Sequence, residues 1–169
     1  YHCSYLPKRW ARNLVVDPLA VSNGLYSRLT DQGFRRSGDH LYRPHCMRCS
    51  ECVSLRVPVA TFQPNRIQRR TWRKNRGLRV TGVDCRFEKE HFELFERYLD
   101  GRHPNGGMDD MTPDNYLFFI AAHWSHTRLY EFRQDGRLLA VAVSDRLSRG
   151  LSAVYTFFDP RQRNRSLGV

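Results

Sequence analysis

Three cysteines, Cys46, Cys49 and Cys52, stand three residues apart within the segment YRPHCMRCSECVSLRV, residues 42–57. Neighbouring cysteines at this spacing can seldom all pair with one another in disulfides. Thiolates at short, regular intervals are typical ligands of zinc and of iron–sulfur clusters. The spacing therefore favours a bound metal or cluster over unliganded thiols, and it does not separate zinc from iron–sulfur.

Three thiolates need a fourth ligand to complete a tetrahedral zinc site or to hold a four-iron cluster. The sequence offers Cys3, Cys85, His40 and His45 as candidates. Cys3 would tie the N-terminal segment onto the cysteine-bearing region, whereas Cys85, in VTGVDCRF, is expected to be a core thiol. The residues alone leave this choice open.

The formal charge of the chain is +11, from 28 Lys and Arg against 17 Asp and Glu. Such an excess favours a polyanionic partner, of which nucleic acid is the commonest; the alternative is a solvated basic surface. The charge is concentrated, because residues 52–83 contain no acidic residue but hold eight basic ones: Arg56, Arg66, Arg69, Arg70, Arg73, Lys74, Arg76 and Arg79.

A helix is predicted inside this basic segment. Asn65 is a suitable N-cap, the helix body runs from Arg66 to about Arg76, and Gly77 is a C-terminal stop. Basic residues recur in it at intervals of three and four, so they share one face. We expect that face to bind nucleic acid through Arg66, Arg69, Arg70, Arg73 and Lys74.

The remaining pattern predicts an α+β fold. Residues 1–60 are rich in turn formers and are expected to form a small, irregular domain that depends on a metal staple. Residues 61–169 contain two further helices, one over FEKEHFELFERYL and one after Thr112, where Pro113 takes the first helical position. Three β-rich runs follow, RLYEFR, RLLAVAVSD and LSAVYTFFDP, joined by the hairpin connections QDG and RLSRG.

The composition, 40% hydrophobic and 12% aromatic, is that of a globular protein. The longest apolar runs are too short to span a bilayer, and the N-terminus lacks the pattern of a signal peptide. These features predict a soluble, cytoplasmic protein with no membrane partner. The closing residues RQRNRSLGV do not supply a helix to cover the β-meander, so we expect the chain to be a fragment.

The segment Arg165-Ser-Leu-Gly168 follows the last β-rich run and matches an R-x-x-G turn. In the acetyltransferase-like fold such a turn opens a helix whose N-terminal amides hold a phosphate. Arg165 and Gly168 are therefore candidate phosphate contacts.

His103 lies in a glycine-bearing loop, a suitable place for a functional residue. The sequence shows no Ser/His/Asp or Cys/His arrangement typical of nucleophilic catalysis.

Six ordered blocks give the chain a family resemblance. CSYLP, GFRRSGDHLYRPHCMRCSEC, VPVATFQPNRIQRR, RYLDGRHPNGGM, LLAVAVSD and SAVYTFFDP…RSLG resemble the bacterial aminoacyl-tRNA–protein transferases, the aspartate/glutamate leucyltransferases, which are relatives of the eukaryotic arginyltransferases. Ile67 departs from the family pattern, which has a small polar residue there. The family's C-terminal segment is also missing, and the resemblance implies that activity needs it.

The resemblance implies a cysteine-bearing N-terminal domain on an acetyltransferase-like (GNAT-like) domain that is truncated at its C-terminus. It implies transfer of an amino acid, leucine before arginine, from aminoacyl-tRNA to the α-amine of proteins that begin with Asp or Glu, which creates an N-degron. An iron–sulfur cluster or zinc would be held by Cys3, Cys46, Cys49 and Cys52, and no cofactor is required for the transfer itself.

Such a transfer needs little covalent help, because the ester is already activated and an α-amine with a pKa of about 8 is partly neutral at neutral pH. The enzyme must position the reactants, stabilise the oxyanion and move a proton. From polarity and placement, Asp145 is the expected proton acceptor and Tyr155 the expected proton donor to the leaving ribose oxygen, with a packed core tyrosine as the alternative for Tyr155.

Planar arginine is the side chain best suited to grip the carboxylate of an N-terminal Asp or Glu. Arg35, Arg36 and Arg43 lie in the block beside the cysteines. We expect the acceptor pocket there, with Tyr42 as one wall; the alternative is that these arginines are further tRNA contacts.

Two other functions of the protein stay open: a metal-stapled nucleic-acid-binding module without catalysis, and an acetyltransferase that uses coenzyme A.

Overall fold

The computed structural model describes residues 1–104, 106, 108 and 111–168. It is a mixed helix and sheet structure with two antiparallel sheets, which confirms the α+β class. In chain order its elements are β1 (Asn13–Val15), α1 (Asn23–Asp31), β2 (Arg35–Ser37), β3 (His40–Pro44), α2 (Arg66–Lys74), β4 (Arg79–Asp84), α3 (Lys89–Arg102), α4 (Pro113–Ile120), β5 (Thr127–Gln134), β6 (Arg137–Leu147) and β7 (Gly150–Phe158).

The first third of the chain is more regular than its turn-rich sequence suggests. β1, β3 and β2 form a three-stranded antiparallel sheet in that order, and Ser22 caps the N-terminus of α1. Gly38 turns β2 into β3 with a φ of +55°, and a Cβ there would lie 2.7 Å from the carbonyl oxygen of Phe118. Only glycine fits this close approach.

The second sheet is the expected meander, extended by one strand. β4, β5, β6 and β7 are antiparallel neighbours in chain order. Asp135 and Gly136 both have positive φ and close the β5–β6 hairpin, as the QDG connection predicts. The sequence pattern does not predict β4, in RVTGVD, which pairs with β5 along its whole length.

The helices begin where their capping residues predict. Asn65 and Gln68 form a capping box at the start of α2, and the Thr112 hydroxyl accepts a hydrogen bond at the start of α4. α3 packs the apolar stripe of Phe92, Phe95 and Leu99 into the main core. The other buried members of this core are Leu94, Tyr116, Ile120, Leu129, Leu138, Val141, Val143 and Phe157.

A second buried cluster joins the small sheet to the rest of the molecule. It combines Tyr26, Phe34 and Leu41 from the first third with Ala122 and Trp124, which follow α4. Residues on both sides of position 60 therefore share one hydrophobic cluster.

In the part of the chain that the structure describes, no helix is long and apolar enough to cross a membrane.

Candidate active site and nucleic-acid surface

The carboxylate of Asp145, on β6, forms a buried ion pair with Arg36 on β2. Arg36 Nε lies 2.5 Å from Asp145 Oδ2, and a terminal guanidinium nitrogen lies 2.8 Å from Oδ1. Neither side chain exposes any surface. The same guanidinium donates to the carbonyl oxygen of Ile120 at 2.8 Å. A bidentate pair of this kind fixes the two strands relative to each other.

Hydroxyl groups donate further hydrogen bonds to the carboxylate of Asp145 and so occupy its remaining acceptor sites. Tyr26 donates to Oδ2 at 2.9 Å, while Thr127 and Ser125 donate to Oδ1 at 2.7 Å and 3.2 Å. Burial alone would raise the pKa of Asp145, but the hydrogen bonds and charge of Arg36, with those hydroxyls, lower it. A buried, saturated carboxylate with a lowered pKa is poorly suited to accept a proton from substrate.

The four candidate acceptor residues lie on two faces of the small sheet. Arg36 and Arg43 share the face that carries Phe34, and the Arg43 guanidinium lies 5.2 Å from the centre of the Phe34 ring. Arg35 pairs with Tyr42 on the other face, with its guanidinium 5.3 Å from the Tyr42 ring. Arg35 is exposed and Tyr42 is half-buried, so Arg35 is the arginine of the set best placed to meet a carboxylate.

Tyr155 lies in a cluster of aromatic side chains at the surface of the main core. Its ring contacts Tyr98 edge-on with the centroids 6.3 Å apart, and it packs against Phe95 and Phe119. Burial raises the pKa of Tyr155 to about 12, so its hydroxyl keeps its proton at neutral pH. The raised pKa also makes Tyr155 a weaker acid than a free tyrosine, so it could donate a proton only to a strongly basic oxygen such as a developing alkoxide.

The structure adds a pair that sequence reasoning did not find. Tyr98 Oη lies 3.2 Å from His103 Nε2, which joins the histidine at the C-terminus of α3 to the ring beside Tyr155. Tyr98 and His103 are five residues apart at the C-terminal end of α3, and this spacing is the sequence signal that could indicate their contact. Tyr98, His103 and Tyr155 are named here the tyrosine–histidine cluster.

The predicted R-x-x-G turn lies close to this cluster. The ring of Phe158 packs against Tyr98 with the centroids 5.0 Å apart, and a Cβ at Gly168 would lie 3.0 Å from the Phe158 ring. The Arg165 guanidinium contacts Gln134 and lies 3.5 Å from Asn75 Oδ1. Arg165 therefore has polar partners within the fold, and Gly168 permits close packing beside Tyr98.

The basic face of α2 is exposed to solvent. In the described part of the chain, no carboxylate lies within 4.0 Å of a basic side chain of this helix. Lys74 donates to the carbonyl oxygen of Asn164, so it also fastens the helix to the segment before Gly168. The other expected contacts present unneutralised charge to solvent, namely Arg66, Arg69, Arg70 and Arg73.

The cysteines lie where the N-terminal segment meets the loop after β3. Cys46 Sγ accepts a hydrogen bond from the backbone N–H of Arg12, and Cys3 Sγ accepts one from that of Leu6, both at 3.4 Å. Arg9 donates to the carbonyl oxygen of Arg48 and joins the two segments. Backbone hydrogen bonds lower the pKa of Cys3 and so favour its thiolate, which is the form that binds metal. The donor chemistry therefore fits zinc or an iron–sulfur cluster.

The structure does not gather the candidate thiols, Cys3, Cys46, Cys49 and Cys52, into one metal site. Among the residues that the structure describes, no group of three or more His, Cys, Asp or Glu side chains is placed to hold one metal ion. Cys49 is half-buried and Cys52 is exposed. Cys85 is different, because it packs against the main core and burial raises its pKa to about 11, as expected of a core thiol.

A buried histidine on α3 forms a second charged network. His91 Nε2 lies 2.6 Å from Glu131 Oε1, and the same carboxylate accepts hydrogen bonds from Arg133. Arg133 also pairs with Glu90. The hydrogen bond from Arg133, together with that from His91 and against the effect of burial, lowers the pKa of Glu131 to about 2. This network pins α3 to β5.

An exposed cationic helix, a β-meander and a small antiparallel sheet with cysteines in the adjoining loop together define the class of the protein as α+β. The chain belongs to the arginine-tRNA-protein transferase family. The model of the family's N terminus matches residues 1–70, and the model of its C terminus matches residues 90–169.

Curated relatives cover nearly the whole chain. An aspartate/glutamate leucyltransferase of Nitrosococcus oceani is 56% identical over 170 residues, which is 99% of this chain and 71% of the relative. Proteins of the same name from Pseudomonas fluorescens and Hahella chejuensis are 49% and 48% identical, each over 99% of this chain and 72% of the relative. The family to which the chain belongs is thus one of transferase enzymes.

Proposed function

We propose that the protein transfers leucine from aminoacyl-tRNA to the α-amine of proteins that begin with Asp or Glu, and so creates an N-degron in the cytoplasm. The observation that carries this proposal is the match to relatives named aspartate/glutamate leucyltransferase along 99% of the chain. The unneutralised cations of α2 support a tRNA donor. The antiparallel order β4–β7, followed by the turn at Arg165–Gly168, supports an acetyltransferase-like fold.

The reaction is an aminolysis of an ester. The acceptor amine attacks the ester carbonyl, a C–N bond forms, the C–O bond to the ribose breaks, and one proton moves from the ammonium to the leaving oxygen. We place this proton transfer at the tyrosine–histidine cluster. His103 is exposed and hydrogen-bonded to Tyr98, so it can accept the amine proton, and Tyr155 retains a proton to donate.

Asp145 has a different role in this scheme. Its oxygens are occupied by Arg36 and by hydroxyl donors within the fold. We assign the Arg36–Asp145 pair to positioning, because it fixes the small sheet, with Arg35 on its outer face, against the meander. Arg35, stacked on Tyr42, would then hold the acidic side chain of the acceptor.

The cysteines would bind a metal that holds the small sheet and the N-terminal segment together. Cys3, Cys46, Cys49 and Cys52 supply the soft donors that zinc and iron–sulfur clusters prefer. A bound metal there would supply structural cross-linking. The transfer chemistry uses the reactants and the polar side chains described above.

Arginine as the donor amino acid is a second candidate. A cleft of about 340 Å³ beside α3 is lined by three carboxylates, Glu93, Glu96 and Asp100, and by one cation, Arg97. Carboxylates suit a guanidinium better than a leucine side chain. The family description, arginine-tRNA-protein transferase, also names this donor.

One assay separates these functions. The protein is mixed with labelled leucyl-tRNA or arginyl-tRNA and with peptides that begin with Asp, Glu, Asn or Lys. We expect leucine transfer to the Asp and Glu peptides. Transfer of arginine alone would select the second candidate, and tRNA binding without any transfer would favour a non-catalytic binding module. Acetylation from acetyl coenzyme A would indicate an ordinary acetyltransferase.

The same assay tests the tyrosine–histidine cluster. His103→Gln should lower the rate of transfer while leaving tRNA affinity unchanged, and the loss should be smaller at high pH, where the amine is already neutral. His126→Gln, at another histidine outside the cluster, is the matched control. An unchanged rate for His103→Gln would remove the cluster from the mechanism.

A further inference from the structure

The indole of Trp72 projects from the most basic helix of the protein into solvent. Its exposed fraction is 74%. A tryptophan normally contributes its large apolar surface to a core or an interface. The half-buried positions are instead Gln68 and Thr71 on α2 and Asn75 at its C-cap. Nothing within the described fold therefore uses the ring of Trp72.

Basic residues precede and follow Trp72 along the chain. Arg69 precedes Trp72 by three residues, so it lies on the same side of α2 as the indole, and Arg76 lies in the turn that directly follows the helix. Both arginines are exposed. This surface, defined by Arg69, Trp72 and Arg76, is named here the tryptophan platform.

The platform is held rigidly. The capping box of Asn65 and Gln68 fixes the start of α2. At the other end, Asn75 Nδ2 donates to the carbonyl oxygens of Thr71 and Arg165, at 3.1 Å and 2.9 Å. These bonds, with that of Lys74 to Asn164, hold the C-terminal end of α2 beside residues 163–168, which include the R-x-x-G turn and are named here the Arg163–Gly168 turn. Rigid presentation lowers the entropic cost of binding.

The charges of Arg69 and Arg76, together with the exposed indole of Trp72, indicate the chemistry of the binding partner. Uncompensated arginines attract phosphates, and an exposed aromatic ring stacks on a nucleobase. Bases inside a duplex are already stacked on one another, so the free face of Trp72 suits an unpaired nucleotide. A purely apolar protein partner would leave the cations of the platform without counter-charges.

We infer that Trp72 stacks on an unpaired base of the RNA donor, with Arg69 and Arg76 on the flanking phosphates. The occupant is the single-stranded 3′ end of the aminoacyl-tRNA, which leads past the Arg163–Gly168 turn toward the tyrosine–histidine cluster. This inference rests on the proposed function and adds the part of the RNA that α2 grips. α2 thereby aligns the end that carries the amino acid.

The test compares two RNA probes, a blunt hairpin duplex and the same hairpin with a single-stranded 3′ extension. Removal of one base stack costs about 1–3 kcal/mol, so Trp72→Ala should weaken binding of the extended hairpin by about 5-fold to about 150-fold. Its affinity for the blunt hairpin should not change. Trp72→Phe should restore most of the affinity, because it keeps an aromatic face.

Trp10→Ala is the matched control. Trp10 is 70% exposed and stacks on His2 in the N-terminal segment, and its removal should leave both affinities unchanged. Trp72→Ala removes no charge, so the salt dependence of binding should keep its slope. Circular dichroism checks that each variant is folded, as expected for changes at exposed positions.

Equal weakening for both hairpins, no weakening for the extended one, or a Trp72→Phe variant as weak as Trp72→Ala would overturn the inference. Failure of the wild-type protein to bind the extended hairpin more tightly than the blunt one would overturn it as well. Amino-acid transfer by the wild-type protein is measured separately. A protein that shows the Trp72 effect but transfers no amino acid would refute the proposed function and leave the stacking intact.

Discussion

Arg36 and Asp145 are 109 residues apart in the sequence and form a bidentate ion pair with no exposed side-chain surface, 2.5 Å from Nε to Oδ2. The pair connects the small sheet to the meander. Two side chains that the sequence placed in separate roles, acceptor binding and proton transfer, thus meet in one structural contact.

Removal of either partner should destabilise the protein strongly. Arg36→Met leaves a buried carboxylate without its counter-charge, and breaking such a pair costs about 3–5 kcal/mol of unfolding free energy. Urea denaturation measures the change. Arg56→Met is the control, since its pair with Asp31 is exposed on both sides and should contribute at most about 1 kcal/mol. Similar losses for the two variants would show that the buried pair does not hold the sheets together.

The stability of the protein should fall in acid because of Glu131 and Asp159. The hydrogen bonds of Arg133 lower the pKa of Glu131 from 4.5 to about 2, and those of Arg161 lower the pKa of Asp159 from 3.8 to about 2. A carboxylate with a lowered pKa in the folded state stabilises the fold above its unfolded pKa, and this contribution is lost as pH falls through the folded value. The loss should therefore run from about pH 4.5 to about pH 2.

Urea denaturation at several pH values measures this dependence. Glu131→Gln should flatten it, while Glu88→Gln, which removes an exposed carboxylate, should leave its shape nearly unchanged. A Glu131→Gln variant with the full acid dependence of the wild type would rule out the network around His91 as its source.

Charge removal on α2 should reduce the salt dependence of tRNA binding. Each phosphate contact contributes a slope of about 0.7–0.9 in a plot of log affinity against log salt. The triple variant Arg69→Ala, Arg70→Ala, Arg73→Ala should thus flatten the slope by about 2–3 and weaken all tRNAs alike.

The matched control removes three exposed cations that already pair with carboxylates, Arg86, Lys89 and Arg128. This control variant loses the same net charge as the α2 triple variant, but at other positions on the protein surface. Equal slopes for the two triple variants would mean that net charge, and not the face of α2, drives tRNA binding.

Arg35 should determine the preference for an acidic acceptor. Arg35→Ala removes the exposed guanidinium above Tyr42 and should lower transfer to an Asp peptide about 10-fold or more while changing an Asn peptide little, because charge-assisted hydrogen bonds are the stronger ones. Arg43→Ala, on the opposite face of the sheet, is the control. Equal loss for both peptides would assign Arg35 to tRNA binding instead.

Protein purified without oxygen should contain zinc or iron in proportion to chain. Elemental analysis and the absorbance spectrum measure it, and Cys46→Ser or Cys49→Ser should lower the metal content and destabilise the small sheet more than Cys85→Ser does. Cys85 is the control because it lies against the main core. A fully folded, metal-free protein from this preparation would refute the cysteine site.

Much of the fold follows from local sequence signals. Asn65 and Gln68 define the start of α2, Thr112 and Pro113 that of α4, and Asp135-Gly136 the first meander hairpin. Each signal acts within a few residues, through a cap or a backbone conformation, so it can be recognised without knowledge of the rest of the chain.

The short strands required the tertiary structure. β1 and β2 have only three residues each, too few for an alternating pattern, and β4 becomes a strand by pairing with β5, which lies more than forty residues later. Backbone hydrogen bonds between distant segments stabilise these strands, and such partners leave no local mark.

The sequence by itself determined the chemical types present: a basic helix, a cysteine triplet, a meander and arginines near the cysteines. Only the tertiary structure decided which of them meet. It buried Arg36 against Asp145, left Arg35 exposed beside Tyr42, and joined Tyr98 to His103. The physical reason is that burial and pairing depend on contacts across the whole chain, whereas residue type and spacing describe only the neighbours along it.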